Sequence, residues 1–231
     1  MLISTIRTLL SGGSFDFSSF LVQLAAIAFV VFCTMPVHEY AHAFVAVKLG
    51  DETPRYQGRL TLNPFAHLDK WGALLILLVG FGYAKPVPVN INNFRKPKRD
   101  FALVAIAGPI SNLIMAFIAF LFYYLCYYIY AAHALIVINL LAVFFYYAAY
   151  INVSLAVFNL LPIPPLDGSR ILAIIIPDRY YYKILHYERY IMIALFLLLF
   201  TGILTTPLSY LTSWVVRFFS WIASNLIGLF F

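Results

Sequence analysis

Two histidines and a glutamate in the stretch "HEYAH" have the spacing of a metal-binding helix. His38 and His42 are four residues apart, so on a helix they share one face and both imidazoles can reach a single ion. Glu39 is rotated about a quarter turn from that face, where it can contact a water held by the ion instead of the ion itself. The pattern predicts the helix of a zinc hydrolase. The alternative is a pair of core histidines beside a salt-bridged glutamate.

The segment directly before these residues reads as membrane-embedded. "FLVQLAAIAFVVFCTM" contains no charged residue and runs straight into Pro36 and "HEYAH". Ionisable groups are costly within a bilayer, and those that occur there usually serve a function. Pro36 adds to this interpretation, because it frees a backbone carbonyl one turn upstream and can kink the helix near the site.

Composition indicates a membrane protein. Of 231 residues, 64% are hydrophobic and 10% are charged, whereas a soluble domain has about one-quarter charged residues. Three uncharged runs, at 101–132, 134–166 and 190–216, exceed the roughly 20 residues that span a bilayer, and the stretch ending near Leu49 makes a fourth span. We therefore predict an all-α, polytopic membrane helical bundle with four to six transmembrane helices.

Two shorter apolar pieces leave the number of spans open. Trp71–Tyr83 is too short to cross upright, which predicts a short re-entrant or extended segment around 71–92. Phe218–Phe231 is similarly ambiguous, and Pro207 is expected to break the last apolar region in two. We expect residues 1–231 to form one integral membrane domain, with a catalytic core at about 21–173 and a C-terminal transmembrane region at about 190–231.

The basic residues cluster in three loops, which predicts their side of the membrane. The connection around "YAAHALIV" contains no lysine or arginine, and positively charged loops face the cytoplasm. The net charge of +6 therefore reflects loop orientation, and it does not indicate a nucleic-acid partner. The loops contain Arg55, Arg59 and Lys70; Lys85, Arg95, Lys96, Lys98 and Arg99; and Arg170, Arg179, Lys183 and Arg189.

A catalytic zinc ion needs a third protein ligand and an open position for water. Asp167, in "NLLPIPPLDGSRIL", follows 33 uncharged residues at the cytoplasmic end of a span, where the His38 helix also ends. His67 is a second candidate, whereas His133 is expected on the opposite face and His186 among charged loop residues. Taken alone, the "LDG" sequence is equally typical of an ordinary Asp-Gly turn after prolines.

Together, "HEYAH" and the later "NLLPIPPLDG" resemble the two metal motifs of the site-2 protease family of intramembrane zinc metalloproteases. The second stretch matches the family pattern at Asn159, Pro162, Pro164, Leu166, Asp167 and Gly168. "GRLTLNPFAHLDKWG", "KPVPVN" and "AGPISN" resemble other segments of its compact bacterial-type members, which lack PDZ and CBS domains. The resemblance covers about Leu21 to Ala173. It departs from the family at Lys70-Trp71, where a proline is expected.

The resemblance implies one Zn²⁺ held by His38, His42 and Asp167, with Glu39 as general base. It also implies that Asn159 stabilises the oxyanion and that Asn112 contacts substrate or oxyanion. Hydrogen bonding between helices would equally explain both asparagines. The implied activity is zinc-dependent endopeptidase cleavage of transmembrane protein or peptide substrates in the lipid bilayer. The protein would lie in the cell membrane as a multi-pass protein, with its active site toward the cytoplasmic side.

An unwound transmembrane substrate needs partners for its freed amide groups in a medium without water. "YAKPVPVN" alternates prolines with valines, and we expect an extended or hairpin segment beside the site that could pair with such a substrate. A rigid surface loop is the alternative. Other functions compatible with the ligands are a metal-ion transporter, for which no internal repeat is visible, and a catalytically inactive scaffold, which would be free to lose Glu39.

Overall fold

The structure is a computed structural model that describes residues 16–67 and 85–231, and within those ranges it contains helices and no strands. The prediction of an all-α bundle is therefore confirmed. A π-helical turn, Val30–Thr34, joins the first two helices, and a 3₁₀ turn, Ile91–Asn93, precedes the fifth. The helices are α1 Phe17–Phe29, α2 Met35–Lys48, α3 Thr53–Tyr56, α4 Pro64–His67, α5 Pro97–His133, α6 Ile136–Asn159, α7 Asp167–Ile175, α8 Asp178–His186, α9 Glu188–Phe200 and α10 Thr205–Gly228.

Three helices of the described residues are long and apolar enough to cross a membrane. They are the continuous helix Phe17–Lys48, formed by α1 and α2, together with α5 and α6. The predicted run 101–132 lies in α5, and the run 134–166 forms α6 as far as Asn159. The predicted re-entrant piece Trp71–Tyr83 lies outside the described residues. Residues 85–90 are neither helix nor strand.

The apolar run 190–216 is divided between α9 and α10. The break lies at Thr201–Leu204, before Pro207, which we had expected to cause it. Gly202 has φ of +82° directly after α9, a conformation that ends helices and that glycine adopts without strain. Pro207 lies in the first turn of α10, where the missing N–H has no helical acceptor to lose.

The helix that holds the two histidines changes its winding one turn before them. The backbone N–H of Met35 donates to the carbonyl of Val30, five residues earlier, and closes the π-helical turn. Pro36 follows at the start of α2 and has no N–H to continue the regular α-helical pattern. Single π-helical turns inside α-helices are often found at functional sites. Here the turn sets the direction in which α2 presents its histidines.

Small side chains let the long helices pack closely. Alanines of α5 and α6 are fully or almost fully buried around Phe120, and Ala223 of α10 joins them. Helices in a bilayer associate through close van der Waals packing, which small residues allow. Helix α5 contacts α2, α6, α7 and α10, so it is the element against which the others are placed. The alanines at this junction are Ala116, Ala119, Ala148 and Ala149.

A buried carboxylate fixes the chain where it leaves α2. Asp51 is completely buried. It accepts hydrogen bonds from the backbone and hydroxyl of Thr53, at 3.1 and 2.6 Å, from the backbone N–H of Asn90, at 2.8 Å, and from the side chain of Asn93, at 2.7 Å. Burial alone would raise the pKa of this carboxyl, but the hydrogen bonds outweigh burial and lower the pKa below its ordinary value of 3.8. Asp51 thus ties α2 to the segment that leads into α5.

We expect Asp51→Ala to lower the free energy of unfolding by about 3 kcal/mol, because it leaves buried donors without their charged acceptor. Because the pKa of Asp51 is lower in the folded state, the carboxylate stabilises the fold above its unfolded pKa and loses this effect as the pH falls. Asp51→Asn should therefore remove part of the acid sensitivity of the fold. Thermal unfolding in detergent at several pH values measures both effects.

The matched control is Glu52→Ala at the neighbouring residue. Glu52 is paired with Arg55 at 2.8 Å, and both side chains are substantially exposed, so its loss should cost less than about 1 kcal/mol. Equal destabilisation by Asp51→Ala and Glu52→Ala would contradict the role given to the buried carboxylate.

Candidate metal centre

Two imidazole nitrogens and one carboxylate oxygen converge on one point. The Nε2 atoms of His38 and His42 are 3.1 Å apart. The Oδ2 atom of Asp167 lies 3.4 Å from His38 Nε2 and 3.2 Å from His42 Nε2. All three side chains are buried. They are the one group of three or more histidine, cysteine or acidic residues within residues 16–67 and 85–231 that has the geometry to hold a metal ion.

The triangle formed by these atoms has the size that zinc requires. Tetrahedral zinc lies about 2.1 Å from each nitrogen or oxygen ligand, which separates the ligand atoms by about 3.4 Å. The three distances between the ligand atoms are 3.1 to 3.4 Å. Two neutral imidazoles and one carboxylate also leave a fourth position open, as catalytic zinc sites do. The residues present therefore fit a zinc ion.

The backbone of α5 orients one of the two imidazoles. His42 Nδ1 lies 2.7 Å from the carbonyl oxygen of Val104, and only a ring N–H can donate to a carbonyl. The proton is therefore on Nδ1, and Nε2 keeps the lone pair that a metal ligand needs. The corresponding Nδ1 of His38 is buried without a hydrogen-bond partner in the described part of the chain.

A glycine of α5 allows this helix to approach the histidines. A Cβ atom at Gly108 would lie 2.2 Å from His42 Nε2 and 2.6 Å from His38 Cε1. Any larger residue would displace the two imidazoles. In the sequence, the only sign that "AGPISN" matters is its resemblance to a family segment. The structural reason for the glycine is the contact with the two imidazoles, which no local pattern reveals.

Asp167 begins α7 directly after the proline-rich turn that follows α6. Its neighbour Gly168 packs against the end of α6, where an added Cβ would lie 2.2 Å from the carbonyl oxygen of Leu160. Ser169 closes the turn, because its backbone N–H and hydroxyl both donate to the carbonyl of Leu166, at 3.0 and 2.7 Å. Asp167 is therefore held by a turn, and this turn directs its carboxylate toward the histidines of α2.

A cavity of about 220 Å³ contains the convergence point. Glu39, Asn112 and Asn159 line it together with the three ligand residues, so all six predicted site residues meet at one place. Glu39 and Asn112 are buried, and Asn159 is partly buried. Leu166 of the family pattern, Arg170 of a basic loop, and Pro86 and Val87 of the segment 85–90 also line the cavity. The remaining lining residues were not singled out from the sequence as site residues; they are Met35, Leu155, Pro165 and Met192.

The alternative third ligand, His67, lies outside this cavity. Its Nε2 is 2.8 Å from the carbonyl oxygen of Thr61, to which it donates a hydrogen bond. Burial and the charge of Arg59 lower the pKa of His67, against the opposing effect of that hydrogen bond. His67 is thus a neutral, buried residue of the turn at α4. His133 ends α5 at an exposed position and His186 ends α8.

The sequence is similar to several bacterial and archaeal proteins. It is 46% identical over 195 residues to "Putative zinc metalloprotease YwhC" of Bacillus subtilis (strain 168), covering 84% of this chain and 85% of the relative. Rip2 of Mycolicibacterium smegmatis, which has the same description, is 30% identical over 57% of this chain and 50% of its own length. MJ0611 of Methanocaldococcus jannaschii, which is also described as a putative zinc metalloprotease, is 27% identical, covering 74% of this chain and 78% of the relative. No solved structure matches the chain.

A family model agrees with these relatives. Residues 125–202 match Peptidase family M50, a range that includes the turn carrying Asp167. The relative from Bacillus subtilis extends the similarity over most of the chain. Within residues 16–67 and 85–231, three apolar helices long enough to cross a membrane accompany this similarity. The chain therefore belongs to peptidase family M50, the site-2 protease family, and is a membrane zinc metalloprotease.

Proposed function

We propose that this metalloprotease is an intramembrane endopeptidase that hydrolyses peptide bonds of transmembrane substrates, with His38, His42 and Asp167 as zinc ligands and Glu39 as general base. The observation that carries the proposal is the position of Glu39. Its carboxyl lines the same cavity as the three ligand atoms, although it is not one of them. A group beside a metal site, rather than in it, is suited to move a proton.

The chain's own residues account for the proton transfers. Zinc, when bound, supplies a Lewis acid that polarises a carbonyl and makes water more acidic. Glu39 accepts a proton from the attacking water and delivers it to the nitrogen of the leaving amine. The rigid attachment of Glu39 to α2, one residue after His38, keeps its carboxyl at a fixed place relative to the ligands. Charge arises on the substrate carbonyl oxygen as water attacks, and this charge requires hydrogen-bond donors.

Asn112 and Asn159 are the proposed donors. Both line the cavity, Asn112 from α5 and Asn159 from the last residue of α6. An amide side chain can donate two N–H bonds without adding charge, and a donor aimed at a developing oxyanion typically contributes 10²–10³-fold in rate. Following the resemblance to the family pattern, we assign Asn159 to the oxyanion. Asn112 contacts substrate or oxyanion.

The segment 85–90 is the proposed partner of the unwound substrate. Pro86 and Val87 line the cavity, and the segment has neither helical nor strand hydrogen bonds. A backbone segment outside helices and strands can pair with an extended peptide through its main-chain polar groups. The substrate would thus enter the cavity along this segment, with its scissile bond near Glu39. The cytoplasmic side is the proposed side of the active site, because the basic loops flank it.

Glu39→Gln should keep zinc and the fold but lower peptide cleavage at least about 100-fold, because an amide cannot accept the proton of the water. The measurement is cleavage of a labelled transmembrane peptide by the purified protein in detergent, alongside its zinc-to-protein ratio. Near-normal cleavage by Glu39→Gln would refute the assignment of the base. A protein that binds zinc but never cleaves a peptide in its wild-type form would instead favour a metal-ion transporter or an inactive scaffold.

Asp167→Ala should lower both zinc occupancy and cleavage, because it removes one of three ligands, whereas Glu39→Gln lowers cleavage alone. His67→Ala is the matched control. It removes a buried imidazole that lies outside the cavity, so the zinc-to-protein ratio should stay near one ion per chain. A full zinc content in Asp167→Ala, or loss of zinc in His67→Ala, would exclude Asp167 as the third ligand.

Gly108→Ala should also lower the zinc content, since the new methyl group would overlap the imidazoles of His42 and His38. Ile114→Ala on the same helix is the control, because Ile114 is 55% exposed and its truncation leaves the histidines untouched. Zinc analysis after identical purification compares the two variants. Equal zinc in Gly108→Ala and the wild type would mean that α5 can move away from α2 without consequence for the site.

A further inference from the structure

A second cavity, separate from the metal centre, is surrounded by positive charge. It has a volume of about 420 Å³ and shares no lining residue with the metal cavity. We call it the basic cleft and define it by its seven lining residues. These are Lys48, Leu49, Gly50, Arg95, Lys96, Arg99 and Asp100.

The basic cleft lies where two membrane-spanning helices end. Lys48 is the last residue of the span Phe17–Lys48, and Lys96 directly precedes the span Pro97–His133. The ends of membrane spans lie at the level of the lipid headgroups. The cleft therefore opens at the depth where the phosphates of phospholipids are found.

The nearby carboxylates compensate only part of the positive charge of the basic cleft. Asp100 is buried and accepts hydrogen bonds from the backbone N–H of Lys96, at 2.9 Å, and from Arg99, whose two nitrogens lie 2.9 and 3.0 Å from it. Asp51 is saturated by its own hydrogen bonds, and Glu52 pairs with Arg55. Within the described ranges, Lys48, Arg95 and Lys96 form no ion pair with an acidic residue.

The surroundings of the basic cleft are apolar on the membrane side. Ala46, Phe94 and Val104 form a buried cluster there, against which Leu49 and Phe101 pack. The ammonium group of Lys48 lies 5.6 Å above the ring of Phe44, which is 42% exposed. A cationic head over an exposed aromatic ring matches a ligand that is anionic at one end and apolar at the other. A membrane phospholipid is such a ligand.

We propose that the basic cleft binds the phosphate group of an anionic phospholipid. The dipole of the 37-residue helix α5 places a partial positive charge at its N-terminal end, which adds to the four cations. Basic pockets between transmembrane helices are suited to acidic headgroups. The bound phosphate would neutralise cations contributed by α2 and by the start of α5. It would thereby hold together the two helices that carry the histidines and Gly108.

The test uses the purified full chain in a neutral detergent. Wild-type protein is titrated with phosphatidylglycerol, with phosphatidylcholine of the same acyl chains, and with inorganic phosphate. Bound lipid is measured by native mass spectrometry and stability by thermal unfolding. We expect phosphatidylglycerol to bind at least about tenfold more tightly than phosphatidylcholine and to raise the melting temperature. Its affinity should fall as the salt concentration rises.

Two double variants with equal loss of charge provide the comparison. Lys48→Gln with Arg95→Gln removes two cations of the basic cleft, and each loss should weaken phosphatidylglycerol binding about fivefold. Arg179→Gln with Lys183→Gln removes two exposed cations of α8, outside the basic cleft, and should leave binding near the wild-type value. The salt and lipid titrations of the wild type remain informative even if the first variant is poorly folded.

Equal retention of the two lipids by the wild type, or equal weakening by the two double variants, would overturn the proposal in favour of general surface charge. If inorganic phosphate stabilises the protein as much as phosphatidylglycerol and displaces it, the phosphate site stands but its ligand is soluble. None of these readouts depends on proteolysis, so they are independent of the proposed activity.

Discussion

The close approach of α5 to α2 at Gly108 is the constraint on which the metal centre depends. A single Cβ atom there would lie within 2.6 Å of both imidazoles. The positions of the imidazole nitrogens therefore depend on a helix-to-helix distance that only glycine allows. The approach also brings the carbonyl of Val104 to His42 Nδ1, which fixes the tautomer. Metal sites depend on such outer contacts nearly as much as on the ligands themselves. Helix α5 is therefore part of the site, although it supplies no ligand.

Asp167, the proposed third ligand, is brought to this point by packing of a different kind. Asp167 begins a short helix after a proline-rich turn, and that turn rests on the end of α6 through Gly168. The sequence "LDG" is thus both an ordinary turn and the support for a carboxylate that faces two imidazoles. The residues alone left open whether Asp167 is a turn residue or a metal ligand, and the structure is compatible with both. The turn is the means by which the backbone directs the Asp167 side chain inward.

Local sequence patterns revealed those features that have a local cause. The spacing of His38 and His42 reflects helical geometry, and the uncharged runs reflect bilayer thickness, so both could be predicted. The contact of Val104 with His42 could not, because a backbone carbonyl has no signature in the sequence. The run 190–216 is divided at Gly202, whereas the sequence predicts a break at Pro207. A proline breaks a helix only beyond its first turn, and Pro207 lies in the first turn of α10. Asp167 required the resemblance to a family.

The proposed depth of the site in the membrane rests on its distance to the end of α2. His42 lies six residues before Lys48, which is about 9 Å along the helix axis. The proposed ligands are therefore inside the apolar bundle, yet close to Asp51 and the basic cleft, where we propose that the membrane boundary lies. The proposed cleavage of transmembrane substrates needs both conditions, because such a substrate has apolar surroundings while the second reactant is water. Fixing the ends of α2 and α5 at this boundary also fixes the depth at which the two meet.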